Sequence, residues 1–245
     1  MKYLGEDLDI HAGGIDNAFP HHTNEIAQTE SFVGHKWCNY WFHVMHLNDE
    51  SGKMSKSKGD FLTVSLLEKK GYDPMAYRMF CLQSHYRKNL VFSWENLDNA
   101  VIAYNKLVAK IATMQADGDV DTEAFAKLKE RFVGALNGDL NTSLAITAVY
   151  DVLKAKTNDA TKLAALADFD QVLSLNLLSA AEALRKKEAE EAAASADPEI
   201  DALVAARTQA KKDKNFAEAD RIRDELKARG IEIIDTPQGS KWRKV

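Results

Sequence analysis

Apolar positions along the chain change period near residue 62. Before it they come in short runs. LDIHA (8–12) reads as a strand running into Gly13 and Gly14, and WFHVMHL (41–47) as a second, buried strand. Between them, PHHTNEIAQTESF (20–32) reads as a helix with Pro20 in the N1-like place. Strand, helix and strand together predict an α/β layer with a parallel sheet.

After Leu62 the period is that of helices. VSLLEKK stops at Gly71, and DPMAYRMFCLQSHY opens on an Asp-Pro start signal. Ser93 caps a long helix whose Leu97, Val101, Tyr104, Leu107, Val108 and Ile111 recur at three and four, with Asn96 where a capping box would carry Glu or Gln. Three further segments, 121–139, 141–157 and 159–178, continue the theme, so this part predicts a helical bundle. RKKEAEEAAASADP (185–198) is charged and Ala-rich and reads as a linker, in part helical or disordered. Two helices broken near Lys214–Asn215 follow, then IEIID, a TPQG turn and SKWRKV as a β-hairpin. The predicted class is mainly α, with an N-terminal α/β remnant and a small C-terminal α+β domain.

Composition narrows the function classes. The 245 residues are 45% hydrophobic and 28% charged, a globular profile, with no apolar run of membrane-spanning length and no signal-peptide h-region at the N-terminus. Cys38 and Cys81 are too few for a disulfide framework, which predicts a reducing cytosol. A net charge of −5 argues against a generic nucleic-acid coat, though local basic patches remain compatible with an RNA enzyme.

Candidate chemistry concentrates in the first 65 residues, which hold six of the seven histidines. SGKMSKSKGD (51–60) places Lys53, Lys56 and Lys58 among Ser and Gly. It reads as a solvated loop or as a phosphate clamp of point charges and hydroxyl donors. His21 and Glu25 are four apart on the predicted helix and share a face, as a solvated pair or as two ligands of an incomplete zinc site. His22 points elsewhere on that helix. HAGGID (11–16) puts a His, two Gly and Asp16 at a strand end, where backbone can approach a ligand and Asp16 could accept a ribose hydroxyl; a plain turn fits as well. His43 and His46, in a Trp- and Tyr-rich run, read as core and carry no assignment.

In order and spacing, LDIHAGGID, FPHHTNEIAQTE, YWFHVMHL, KMSKSKGDF, HYRKNLVFSWENLDNA, DLNTSLA, ADRIRDEL and IDTPQGSKW resemble the cysteinyl-tRNA synthetase family over nearly the whole chain. KMSKS marks class I synthetases generally; FPHHTNE with IAQ and HYR is more specific. The resemblance implies part of a Rossmann-like class I catalytic core over 1–65, a stem-contacting, tRNA-binding bundle over 66–185, a linker over 186–198 and an anticodon-binding domain over 199–245. It implies ATP, with Mg²⁺, as a substrate held by Gly14, Asp16, Lys53, Met54, Ser55, Lys56 and Ser57, with Lys53 and Lys56 catalytic. It places His11 in the cysteine pocket and makes His21 and Glu25 two of four Zn²⁺ ligands. Phe216, Asp220, Asp235 and Trp242 become contacts to unpaired tRNA(Cys) bases. The implied reaction joins L-cysteine to tRNA(Cys) through cysteinyl-adenylate, in a cytoplasmic monomer that contacts no membrane.

The family's two zinc cysteines and its HIGH-type motif would precede Met1. The resemblance therefore implies a C-terminal portion, inactive alone, with exposed apolar strand surface. Two alternatives remain: a tRNA-binding fragment or subunit that needs an N-terminal partner, and the cysteine–amino-sugar ligase of mycothiol synthesis. The terminal hairpin argues against the second.

Overall fold

The computed structural model describes residues 2–49, 52–53, 62–195, 197–213, 215–236 and 239–244. Strands β1 (Leu8–Gly14) and β2 (Cys38–Val44) pair in parallel, with Ile10 opposite Tyr40 and Gly14 opposite Val44. The crossover between them is a 3-10 turn at Ile15–Asn17, an irregular turn over Ala18–His22, and helix α1 (Thr23–Val33). The α/β layer is therefore as the pattern predicts, but the helix begins three residues later than Pro20. The Phe19–Pro20 peptide is cis and Phe19 is extended at φ −143°, ψ 133°, the region to which a residue before proline is driven. Regular α geometry starts only after that kink. Gly34, at φ 79°, ends α1 with its N–H on the Glu30 carbonyl.

The second predicted strand is divided. β2 stops at Val44, and Leu47 starts β3 (Leu47–Asp49), which lies between β4 (Gly52–Lys53, antiparallel) and β5 (Leu90–Phe92, parallel). Around this small sheet pack α2 (Val64–Lys69), α3 (Pro74–Leu82) and the start of α4 (Trp94–Ala112), over a core of Leu67, Phe80, Phe92, Leu97 and Ala100. The start signals act as the sequence implies. Asp73 accepts from the Met75 N–H with Pro74 at the first turn, and Ser93 Oγ accepts from Asn96 N–H at 3.1 Å.

Helices α5 (Thr122–Asn137), α6 (Thr142–Lys154) and α7 (Asp159–Leu173) complete the bundle. Phe132 and Phe169 stack at its centre, 4.1 Å between centroids, and the buried Tyr104 hydroxyl donates to the Leu175 carbonyl at 2.8 Å. Helix α8 (Leu177–Ser195) carries the charged Ala-rich run as regular helix, with Lys186–Glu190 and Lys187–Glu191 pairs at i,i+4. Contacts divide the chain into two compact units, Met1–Ala181 and Glu182–Val245. In the second, α9 (Pro198–Lys212), α10 (Phe216–Ala228) and the hairpin β6 (Ile231–Thr236)–β7 (Gly239–Lys244) enclose Ile200, Val204, Ile222, Leu226 and Ile231. Among the described residues no helix is long and apolar enough to cross a membrane.

Candidate active site and RNA-facing surfaces

Two histidines of the first unit, His11 and His21, reach Glu25. From mid-β1, His11 Nε2 lies 2.7 Å from Glu25 Oε2. From the turn before α1, His21 Nε2 lies 3.5 Å from Glu25 Oε1. The helical spacing of 21 and 25 thus brings these two side chains together, and the β1–α1 crossover delivers the carboxylate to His11. His22, left out by the sequence reading, is buried in the same cluster. Its Nδ1 lies 2.8 Å from His43 Nε2, and its ring packs 4.6 Å from His11 and 5.0 Å from Trp41. Burial, with His11 and His43 beside it, pushes the His22 imidazole below its usual pKa.

Glycine makes this convergence possible. A Cβ on Gly13 would stand 2.7 Å from Asn17 Nδ2 and 2.9 Å from His22 Cε1. One on Gly14 would stand 2.6 Å from Asp16 Oδ1. His46 Nε2 reaches the same Asp16 oxygen at 3.5 Å. The cluster therefore sits at the carboxyl end of a parallel strand pair, where open α/β sheets bind ligands. One donor atom from each of His11, His22 and Glu25 lies within 4.8 Å of the others. Two imidazoles and a carboxylate are a donor set that suits Zn²⁺, with His21 on the other Glu25 oxygen.

A second polar knot joins the first unit's sheet to its bundle. Asp139, in the turn between α5 and α6, accepts from Tyr86 Oη at 2.6 Å and from Arg87 Nε at 2.5 Å and Nη2 at 3.1 Å. The Arg87 bonds, then that of Tyr86, hold its carboxyl down at about 2. The same segment is tied to the strands: Met45 N–H donates to the Tyr86 carbonyl at 2.9 Å, and Tyr86 stacks on Phe42.

Comparison with known proteins matches two family models to this chain. The tRNA synthetases class I (C) catalytic domain covers residues 1–102, and the cysteinyl-tRNA ligase anticodon binding domain covers 195–243. The cysteine–tRNA ligase of Brevibacillus brevis is 39% identical over 267 residues, which take in 100% of this chain and 54% of that protein. That of Symbiobacterium thermophilum is 41% identical over 255 residues, 99% of this chain and 54% of that protein. This chain belongs to the cysteinyl-tRNA synthetase family. It spans about half the length of the curated relatives it matches. Among solved structures, the LeuRS of Agrobacterium radiobacter K84 is 18% identical at a TM-score of 0.49, over 72% of this chain and 27% of that one, a likeness too slight to add to this.

The residues that the cysteinyl-tRNA synthetase resemblance singled out fall into three groups. His11, His21, Glu25, Gly14 and Asp16 lie together around the end of β1. Lys53 closes β4 opposite Asn48, while Met54, Ser55, Lys56 and Ser57 lie outside the described residues. In the second unit Phe216 opens α10 and is 63% exposed, and Asp220, one turn on, pairs with Arg223 at 3.0 Å. Asp235 pairs with Ser240 across the hairpin. Trp242 packs on the small core, and its indole N–H donates to Asp201 at 2.8 Å, so its edge already has a partner. The sequence reading missed His22, His43 and Asp139. The close clash that a Cβ at Gly13 would make with His22 is the structural trace of the first.

Proposed function

We propose that this chain forms the cysteine-binding wall, the KMSKS loop and the tRNA-binding parts of a cytoplasmic cysteine–tRNA ligase. The observation that carries the reading is the Glu25 carboxylate set between His11 and His21. His21 and Glu25 would hold zinc, with His11 and His22 close to the same carboxylate. Zinc supplies there a soft partner for a thiolate that a serine hydroxyl cannot match, and so supports selection of cysteine. Gly14 and Asp16 would meet the nucleoside of ATP at the strand end, where Asp16 can accept from a ribose hydroxyl. The cysteine carboxylate attacks the α-phosphorus, pyrophosphate leaves, and Lys53 and Lys56 neutralise the charge that develops on it. The bundle and the second unit would then hold tRNA(Cys), whose 3′ end accepts the cysteinyl group.

The test is cysteine-dependent ATP–pyrophosphate exchange with zinc present. The chain is assayed alone and together with the part of the Brevibacillus brevis enzyme that it does not match. Exchange in the mixture is expected, with Lys56→Ala lowering the rate at least ~100-fold while the cysteine KM changes little, the mark of a group acting in the transition state. Absence of exchange in both arms from folded protein overturns the reading. An unchanged rate in Lys56→Ala removes that lysine from it.

A further inference from the structure

Met45 and His46 join β2 to β3 and belong to neither strand. Their backbone is nevertheless held at both residues. Met45 N–H donates to the Tyr86 carbonyl at 2.9 Å, and the His46 carbonyl accepts from Leu90 N–H at 3.4 Å. Tyr86 is itself fixed. Its ring stacks on Phe42 at 4.3 Å between centroids, and its hydroxyl donates to Asp139, which Arg87 also grips. A short connection needs no such anchoring to pass from one strand to the next. What the anchoring adds is a defined direction for the side chain at 46.

That direction is toward Asp16. His46 is 29% exposed, and its Nε2 lies 3.5 Å from Asp16 Oδ1. Gly14 makes the approach possible. A Cβ there would stand 2.6 Å from Asp16 Oδ1 and 3.4 Å from His46 Cε1, displacing the first and crowding the second. Asp16 is 55% exposed on a three-residue 3-10 turn, and an exposed carboxylate on so short a turn has several staggered rotamers within reach. An imidazole N–H directed at Oδ1 selects one of them. It leaves the carboxylate able to accept from a hydroxyl as well, since each oxygen has two lone pairs. A separation of 3.5 Å is loose for a hydrogen bond, and bonds within a site commonly tighten when the substrate arrives.

We propose that His46 is a positioning residue for Asp16, and that the Tyr86–Arg87–Asp139 knot acts on the nucleoside end of the site by fixing the backbone at 45 and 46. This rests on the reading above that Asp16 meets the ribose of ATP. It adds the group that aims the carboxylate and the route by which the corner of the bundle reaches it.

The test is ATP–pyrophosphate exchange in the mixture described above, with the KM for ATP and the KM for cysteine measured separately. His46→Phe keeps the ring volume and removes the N–H. It is expected to raise the ATP KM about 2- to 5-fold, the range that an exposed pair of this kind supports, with the cysteine KM unchanged. His46→Gln, which keeps a donor, should recover most of that loss. In an Asp16→Ala background His46→Phe should have no further effect, because its contribution runs through the carboxylate. An ATP KM unaltered by His46→Phe, or a full additional loss in the Asp16→Ala background, overturns the proposal. His46→Leu replaces the Phe variant if that one does not fold. For the knot, the readout is amide hydrogen exchange of the chain alone at neutral pH. The Met45 amide should exchange faster in Asp139→Asn than in the wild type, and equal rates remove the knot from the proposal. If the wild-type mixture shows no ATP–pyrophosphate exchange, the reading beneath fails, and the proposal with it.

Discussion

Single residues set the geometry of the first unit's polar clusters, and Asp139 shows how strongly. Its carboxylate takes bonds from Tyr86 and Arg87 that hold its pKa at about 2, against an ordinary value of 3.8. A depressed folded-state pKa contributes stability that is fully present above the unfolded value and is lost as pH falls through the folded one. Urea midpoints of the wild-type chain should therefore exceed those of Asp139→Asn at pH 6, and the gap should close between about pH 4 and pH 2. A gap that persists at pH 2 would mean the bonds do not depend on the ionised form. Little at this scale was legible in advance. His21 and Glu25 announce themselves by helical spacing, but His11 is fourteen residues from Glu25, and no period connects them. His22 looked idle because neighbours on a regular helix diverge, whereas here the chain is still in an irregular turn as it passes 22.

Elements were far more readable, for a physical reason. Helix starts are set by local hydrogen bonds, and the side chains that make them stand in the sequence: Asp73 and Ser93 cap as their positions imply, and Asp121, Asn141 and Asn158 cap the next three helices. The α4 stripe is likewise local: Leu97, Tyr104, Leu107, Val108 and Ile111 are buried, and Val101 is half-buried. One boundary failed where tertiary pairing decided. Apolar residues run on from Val44 to Leu47, yet the chain changes sheets there because Leu47 finds Leu90 as its partner. Nothing local distinguishes that hand-over from a continuing strand. The bundle's central contact is also non-local: Phe132 and Phe169 come from α5 and α7 and stack almost parallel. Phe169→Ala should remove about 3–5 kcal/mol, as expected for deleting a fully buried ring, read from chemical denaturation followed by tryptophan fluorescence.

For the whole molecule the main fact is its division into two compact units. Each encloses its own apolar cluster, and the second holds its helices and hairpin around five buried aliphatic residues. A fragment of residues 182–245 should therefore show helical far-UV circular dichroism and unfold at the midpoint that its tryptophan reports in the intact chain. A small core makes that midpoint modest. A fragment without structure would show that the unit needs the rest of the chain. The first unit carries a different signature: Ile10 and Tyr40, opposite one another on β1 and β2, are 62% and 71% exposed, as the sequence led one to expect of a partial sheet.

The Asp139 knot also has a mechanical side. Asp139 and Leu140 turn between α5 and α6 in the left-handed region, at φ 64° and 51°, a conformation with few alternatives for side-chain-bearing residues. From that stiff corner a short series of bonds runs through Tyr86 to Met45, and Leu90 N–H reaches the His46 carbonyl just before β3 begins. The series ties the corner of the bundle to the root of the strand that precedes the KMSKS sequence.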